Sequence, residues 1–298
     1  VAMMTAQLPL VVGVDGSDTA SQAVDWAADE AARHSVPLLC LHGSLWERYE
    51  GALPDLGTDR PAEQVAAEDI VASAAARASA LRPEVKVTTR VVAADPAEAL
   101  LAECRHCFGI VVGSRGRGGL AGMLLGSVGL TVAARATCPV VVVRGTAAGR
   151  RGERDRVVLG AGDQDEVAVA AAFAFREAVV RRCALDAVHA WRRTDGAERN
   201  AADGVGTRTV TPTGPAPGDR LLDDALRDFA EEEADLVVNR ETVEGPARKA
   251  LLAAAACADL LVLGARRRAG HVGLQLGPVN HALLHHSPCP VAVVPQPD

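Results

Sequence analysis

Short, near-continuous runs of Val, Leu and Ile recur along the chain, separated by longer stretches in which apolar residues return every three or four positions. The short runs at 10–14, 38–42, 85–92, 110–113 and 140–143 predict strands buried on both faces. The spaced stretches, such as Ala20, Val24, Ala27 and Ala31, predict helices with one apolar face. Strands alternating with helices imply an α/β fold, a parallel sheet covered on both sides. In such sheets ligands bind beyond the carboxyl ends of the strands.

The whole pattern then repeats. Val11-Val12 matches Val157-Val158, and Leu39-Cys40-Leu41-His42 resembles Asp186-Ala187-Val188-His189. Pro96 answers Pro246, Gly109-Ile-Val-Val-Gly113 answers Leu260-Leu-Val-Leu-Gly264, and Cys138-Pro139 with the valines to 143 answers Cys289-Pro290 with residues to 294. The offset grows from 146 at the first strand to 151 at the loop after the fourth, so the second copy carries five extra residues net. They fall in its polar connection at 192–219, whose counterpart is 44–61. The expected architecture is two tandem doubly wound domains, over 1–146 and 153–298, each a five-stranded parallel sheet with helices on both faces. The stretch 145–153, small and charged with no periodicity, reads as a linker. The fifth strands, at 139–143 and 290–294, are apolar edges of the kind that invite pairing.

Candidate chemistry lies after the fourth strand of the first copy, in Gly113-Ser-Arg-Gly116-Arg-Gly118-Gly119-Leu-Ala-Gly122-Met-Leu-Leu-Gly126-Ser127-Val128. A glycine-rich loop leading into a helix presents unpaired N–H groups and the positive end of the helix dipole, both of which favour an anion. Glycines admit a phosphate where a Cβ would collide, although they also serve turns and helix ends. Ser127 adds a hydroxyl donor, and Arg115 and Arg117 place charge in the loop, either on the phosphates or in solvent.

The spacing Gly113-x2-Gly116-x9-Gly126-Ser127, together with Leu10-Val11-Val12-Gly13-Val14-Asp15-Gly16-Ser17, resembles the universal stress protein family. The resemblance covers residues 9–144 strongly and 155–294 more loosely. It implies an adenine nucleotide α-hydrolase-like fold and an ATP site in which Asp15 meets the adenosine part. Gly113, Gly116, Gly126, Ser127 and Val128 would hold phosphates and ribose, with Gly13, Val14, Gly43, Arg115 and Arg117 completing the site. The ligand would be ATP, or ADP or AMP, accompanied by Mg2+. The implied function is an ATP-binding stress-response regulator with a regulatory protein partner of unknown identity. The two copies would pair as an intrachain pseudo-dimer through their fifth strands, and two chains would form a homodimer. The competing functions are a slow ATP hydrolase or nucleotide-transferring enzyme and a nucleotide-free partner-binding module. No catalytic residue is named, since no Ser-His-Asp set can be argued from the spacings.

The second copy departs from the motif. Its loop reads Gly264-Ala-Arg-Arg267-Arg-Ala-Gly270-His-Val-Gly273-Leu-Gln-Leu-Gly277-Pro278-Val279, with Arg267 for the second glycine and Pro278 for the serine. Proline suits the first turn of a helix but removes an amide and a hydroxyl donor. By the offset of 146, Ala161 stands where the first copy has Asp15. Nucleotide is therefore expected in the first copy, with the second empty or weak unless Arg266, Arg267 and Arg268 hold an anion by their side chains.

Composition narrows the remaining classes. With 298 residues the chain fits two domains of ordinary size. A formal net charge of −7 and only three Trp, one Tyr and four Phe speak against nucleic-acid or anionic-membrane binding. The start has no basic n-region, and the apolar stretch 251–264 is broken by Asp259, so the expected location is the cytoplasm, without a membrane segment. Lys86 and Lys249 do not follow glycine, which excludes a Walker loop. Seven scattered cysteines form no disulfide framework. Cys104-Arg-His-Cys107 has the spacing of a redox or zinc pair but no second pair beside it, and reads as one buried and one partly exposed side chain on a helix. His281, His285 and His286 read as charges complementing a helix C-terminus rather than as metal ligands.

Overall fold

The computed structural model of the chain describes residues 7–45, 62–116, 125–162, 164–191, 222–223, 226, 236–266 and 276–296. The first copy contributes strands β1 (Leu10–Gly13), β2 (Leu38–Gly43), β3 (Val87–Val92), β4 (Gly109–Gly113) and β5 (Val140–Val143). Its helices are α1 (Asp18–His34), α2 (Ala62–Leu81), α3 (Pro96–Ala102) and α4 (Ser127–Arg135). Helix α5 (Ala147–Arg151) follows, and then the second copy brings β6 (Arg156–Ala161), α6 (Gln164–Arg181), β7 (Ala184–Trp191), β8 (Val238–Glu244), α7 (Ala247–Ala255), β9 (Leu260–Ala265), α8 (Pro278–His286) and β10 (Val291–Pro295).

All ten strands form one sheet in the order β3-β2-β1-β4-β5-β10-β9-β6-β7-β8. Within each copy the pairing is parallel, and the copies meet through an antiparallel β5–β10 pair that sets Val140 opposite Val293 and Val142 opposite Val291. The doubly wound expectation and the pairing of the fifth strands are thus met. Two apolar layers run the length of the sheet. One joins α1, α2 and α6, and the other joins α3, α4, α7 and α8, each continuous across the junction.

Local chemistry explains the element ends. Ser17 caps α1 by accepting from the Ala20 N–H at 3.2 Å, and Ser35 closes it in the left-handed region at φ 54°. Asp95 caps α3 by accepting from the N–H groups of Ala97 and Glu98, with Pro96 in the first turn, where a missing N–H costs nothing.

The stretch expected to be a linker is ordered and packed. Thr146 caps α5 by accepting from the Gly149 N–H, and Gly152 ends it at φ 70°. The Thr146 N–H donates to Pro288 O at 2.9 Å, and a Cβ on Gly145, itself at φ 87°, would lie 2.1 Å from that same oxygen. Small residues here serve close contact with the second copy rather than slack.

A buried polar cluster spans the junction. Glu30 and His34 of α1 face Glu177 and Arg181 of α6, and the register makes these pairs equivalents in the two copies. His34 Nε2 lies 3.0 Å from Glu177 and 3.5 Å from Glu30, while Arg181 reaches Glu30 at 2.5 Å and Glu177 at 3.2 Å. Burial alone would lower the His34 pKa, but hydrogen bonds to Glu177 and Glu30 outweigh it and raise it to about 9. Burial, reinforced by the nearby Glu30 charge, raises Glu177 to about 7. Despite burial, Arg181 and His34 hold the Glu30 carboxyl far below the usual range. The oxygen and nitrogen atoms of Glu30, His34 and Glu177 lie within 4.8 Å of one another, as metal ligands would. Arg181 and Arg33 already neutralise these carboxylates, so the cluster is a set of ion pairs on the local two-fold axis.

Candidate functional site

The site grows from the carboxyl ends of β1 and β4, adjacent strands from which the chain winds in opposite directions, the usual ligand crevice of such sheets. The Val14 N–H donates to Leu41 O at 2.9 Å, and His42 Nδ1–H donates to Val14 O at 2.6 Å, which fixes the peptide before Asp15. The Asp15 carboxylate accepts from the Ser17 N–H at 3.0 Å, and Gly16 at φ 75° turns the chain into α1. The loop after β4 lies directly on this turn. A Cβ on Gly113 would stand 2.7 Å from the Thr19 carbonyl, and one on Gly116 would stand 2.6 Å from an Asp15 carboxylate oxygen. The hydroxyls of Ser17 and Thr19 both donate to the Arg115 carbonyl. The Gly126 N–H donates to Ser114 O at 2.8 Å as the chain enters α4.

These contacts enclose a cavity of about 350 Å³. Gly13, Val14, Asp15, Gly43, Gly113, Arg115, Gly116, Gly126, Ser127 and Val128 all border it, so ten residues named from the sequence converge on one place. Arg117 and the loop to 124 lie outside the described residues. The glycines do not all serve the same end. Gly43 is required by protein packing, because a Cβ there would stand 2.6 Å from Pro96 Cα, and Gly113 is pressed against α1 in the same way. Gly126, at φ −77°, meets only ordinary contacts of 3.6 Å or more, so neither packing nor backbone angle demands glycine there.

The cavity offers chemically different surfaces. α4 starts with no side chain capping its first turn, so its leading N–H groups and dipole are presented beside Arg115. Leu41, Leu100, Val112 and Pro96 offer an apolar wall, and the half-buried Asp15, against which Gly116 is packed, is a hydrogen-bond acceptor. A volume of this size lies within the ~300–1,000 Å³ of small-molecule sites. An anion at the helix end, a hydroxyl-bearing group at Asp15 and a flat apolar group on the wall would each meet a suitable surface.

The second copy is built differently at the same place. Leu10 pairs with Leu38 and Val157 with Leu185, while Leu10 also pairs with Gly109 and Val157 with Leu260. The first strands are therefore offset by 147 rather than 146, and the second copy gains four residues net rather than five. Gly162, not Ala161, takes the position of Asp15, and the absence of a carboxylate there stands. His189 Nδ1 lies 3.1 Å from Ala161 O, repeating the His42 contact. Pro278 occupies the first turn of α8, and Asn280 Nδ2 donates to Gly264 O at 2.8 Å. The first copy has Gly129 at that position, bordering its cavity. Asn280 thus places a side chain where the first copy leaves room. Arg267 and Arg268 lie outside the described residues.

Thr19, Ser17 and Asn280 act in these sites without having been singled out from the sequence. Ser17 could have been read as a helix cap; Thr19 and Asn280 act across segments that only the fold brings together. Two other expectations are corrected. Cys104 and Cys107 are both buried, the first in a 3-10 turn (Glu103–Arg105) and the second in the bend after it, and Cys138 lies beside them. His285 does not simply supply positive charge to the end of α8: partial burial and the neighbouring His281, Arg144 and His286 lower its pKa.

Fold and cleft together define a tandem doubly wound α/β protein whose crevice lies at the strand-order switch of its first copy. A sequence profile of the universal stress protein family matches residues 9–144 and again 153–295, and the chain belongs to that family. A universal stress protein of Mycobacterium tuberculosis is 32% identical over 297 residues, covering 96% of this chain and 97% of the relative. Another from the same species is 45% identical over 139 residues, 46% of each chain. The crystal structure of a universal stress protein from Archaeoglobus fulgidus DSM 4304 shares the fold, with a TM-score of 0.68 at 18% identity, over 97% of this chain and 98% of that one. Among the described residues, no helix is long and apolar enough to cross a membrane.

Proposed function

We propose that the first copy binds an adenine nucleotide, ATP or its di- or monophosphate, and that occupancy regulates the chain's partners during stress. The observation carrying this reading is the convergence of the family's glycine spacing, Asp15 and the uncapped start of α4 on one cavity. Phosphates would sit at Ser127, Val128 and Arg115, the ribose hydroxyls near Asp15, and the base against Leu41, Leu100 and Val112. Bound Mg2+ would supply charge neutralisation of the phosphates, which Arg115 meets only in part. Gly116 keeps the loop low over Asp15, and the Ser17 and Thr19 hydroxyls hold the Arg115 carbonyl against the start of α1.

The second copy would bind weakly or not at all, since Gly162, Pro278 and Asn280 remove an acceptor, remove a donor and fill space. The domain limits that follow from this reading are 1–146, with the working site, and 153–298, with the degenerate one. Two chains would assemble as a homodimer in the cytoplasm. Mass spectrometry of ligand released from purified protein, followed by calorimetric titration with ATP and Mg2+, tests the reading. One adenine nucleotide per chain is expected, lost in Asp15→Ala. No adenine nucleotide released together with a flat titration, or undiminished binding in Asp15→Ala, would overturn it. At ligand concentrations of ~100 Kd, linkage should raise stability by ~2.7 kcal/mol.

A further inference from the structure

The two copies do not present the same face to one another. Gly113 pairs with Val143 and Gly264 with Val294, so residues of β4 and β5 have their equivalents 151 positions further on. Val141 lies opposite Ala292, its own equivalent, and the local two-fold axis passes between them. Both side chains are buried in the layer that joins α1, α2 and α6. Two valines there would overfill the layer, and two alanines would leave a void. Beside the axis, Arg144 donates to the Ser287 carbonyl at 2.9 Å and to the Leu284 carbonyl, and its equivalent, Pro295, has no guanidinium. Gly145, at φ 87°, lies so close to the Pro288 carbonyl that any Cβ would overlap it, and its equivalent is Gln296. Between the helices, aromatic rings of the first copy meet cations of the second. The Arg181 guanidinium lies 5.5 Å from the Trp26 ring centroid, and that of Arg176 lies 5.2 Å from the Phe108 ring centroid. The first-strand offset of 147 makes Asp29 and His34 the equivalents of Arg176 and Arg181. Asp259 is the equivalent of Phe108, and its carboxylate already accepts from the Arg154 and Arg156 N–H groups.

We propose that the junction is a one-way recognition surface, on which the β5 face of the first copy accepts the β10 face of the second and rejects a face of its own kind. First copy against first copy would oppose two valines on the axis. It would also set the electron-rich face of Phe108 beside the Asp29 carboxylate, where the present pairing sets it beside a guanidinium. Second copy against second copy would oppose two alanines and drive Gln296 into the Pro288 carbonyl. It would leave the Leu284 and Ser287 carbonyls without the Arg144 guanidinium, and Arg176 without the Phe108 ring. Only the unlike pair avoids all of these faults, and specificity here comes as much from what is excluded as from what is joined. The partner that fits either face is therefore the unlike copy, of the same chain or of a second chain of the same sequence. Chains join through these faces only by exchanging unlike copies.

Two full-length chains test this. In one, Val141→Ala, Arg144→Pro and Gly145→Gln give both faces the character of the second copy. In the other, Ala292→Val, Pro295→Arg and Gln296→Gly give both the character of the first. Each alone should fail to close on itself and should show a larger hydrodynamic radius than the parent chain. An equimolar mixture should form a one-to-one complex of twice the parent mass, read by light scattering. Either chain closing as the parent does, or a mixture that yields no such complex, would overturn the proposal. Where circular dichroism shows that a triple variant has not folded, Val141→Ala and Ala292→Val decide the question in the otherwise unchanged chain. Each alone should lower the urea midpoint, one by a void and the other by overfilling. Together they reverse the pair about the axis and should restore most of the loss, whereas additive losses would overturn the proposal.

Discussion

The two copies share their strands, their order and their register, and differ where the strands end. In the first, the loop after β4 is drawn down onto Asp15 and the first turn of α1, and Ser127 opens α4 with its N–H and hydroxyl intact. In the second, glycine replaces the carboxylate, proline opens the helix, and Asn280 occupies the space that Gly129 leaves empty. Neither set of changes disturbs the sheet. The fold tolerates both because every altered position lies beyond the last ladder bond, in a loop or in the first turn of a helix, where proline forfeits no helical hydrogen bond. A similar inequality holds at the junction, where the equivalents Glu30/His34 and Glu177/Arg181 differ in one cation. A pair of identical copies would place two histidines about the axis; the tandem places one titratable cation and one permanent one.

The largest expected effect comes from writing the second copy into the first. Gly116→Arg with Ser127→Pro should weaken adenine-nucleotide binding by roughly 10² to 10⁴, since two charge-assisted bonds worth ~1.5–3 kcal/mol each are lost. Calorimetry reads this directly, and unchanged affinity would break the contrast between the copies. The converse triple change, Arg267→Gly, Pro278→Ser and Asn280→Gly, should create a second, weaker binding event. Next comes the junction: Arg181→Met leaves Glu30 and Glu177 buried without their strong cation and should cost ~3–5 kcal/mol in urea unfolding.

A smaller effect, per pH unit, is expected from His34. Its pKa is raised from 6.5 to about 9 on folding, so its stabilising contribution is complete below pH 6.5 and is lost as pH rises through 9. The slope should not exceed ~1.4 kcal/mol per pH unit, and unfolding measured across that window should flatten in His34→Gln. Glu177 shifts in the same sense at lower pH, between 4.5 and about 7, so this substitution should leave part of the acid-side slope. The smallest change is Thr19→Val, which removes a hydroxyl donor from the Arg115 carbonyl. It should destabilise the first copy by ~0.5–1.5 kcal/mol, as read by chemical denaturation.

Much of the framework is legible in the sequence because each strand is a compact Val/Leu/Ile run and each cleft glycine belongs to a spaced motif. The first-strand offset was harder to read for a physical reason. Val11-Val12 aligns with Val157-Val158 or one residue later with little change in hydrophobicity, and only the partners on neighbouring strands select 147. Glu30, His34, Glu177 and Arg181 look like charges on a solvated helix face, since an i,i+4 pair has the same spacing whether it meets water or another helix. Their burial arises only when the copies join. Around 145–153 the signals were present, with Thr146 as a cap and Gly152 as a left-handed stop, but they frame a helix of little over one turn with no apolar periodicity to mark it. Asn280 reads as an ordinary helix residue until β9 places the Gly264 carbonyl beside it.

The antiparallel β5–β10 pair also changes how this assembly responds to its own abundance. Two separate domains would find each other only when plentiful enough, and would part on dilution. Here the partner strand is supplied by the same chain, joined through the short α5 and held near a ~millimolar effective concentration. The paired state should therefore be as complete at a handful of molecules per cell as at thousands, leaving the protein's amount free to vary without altering its form.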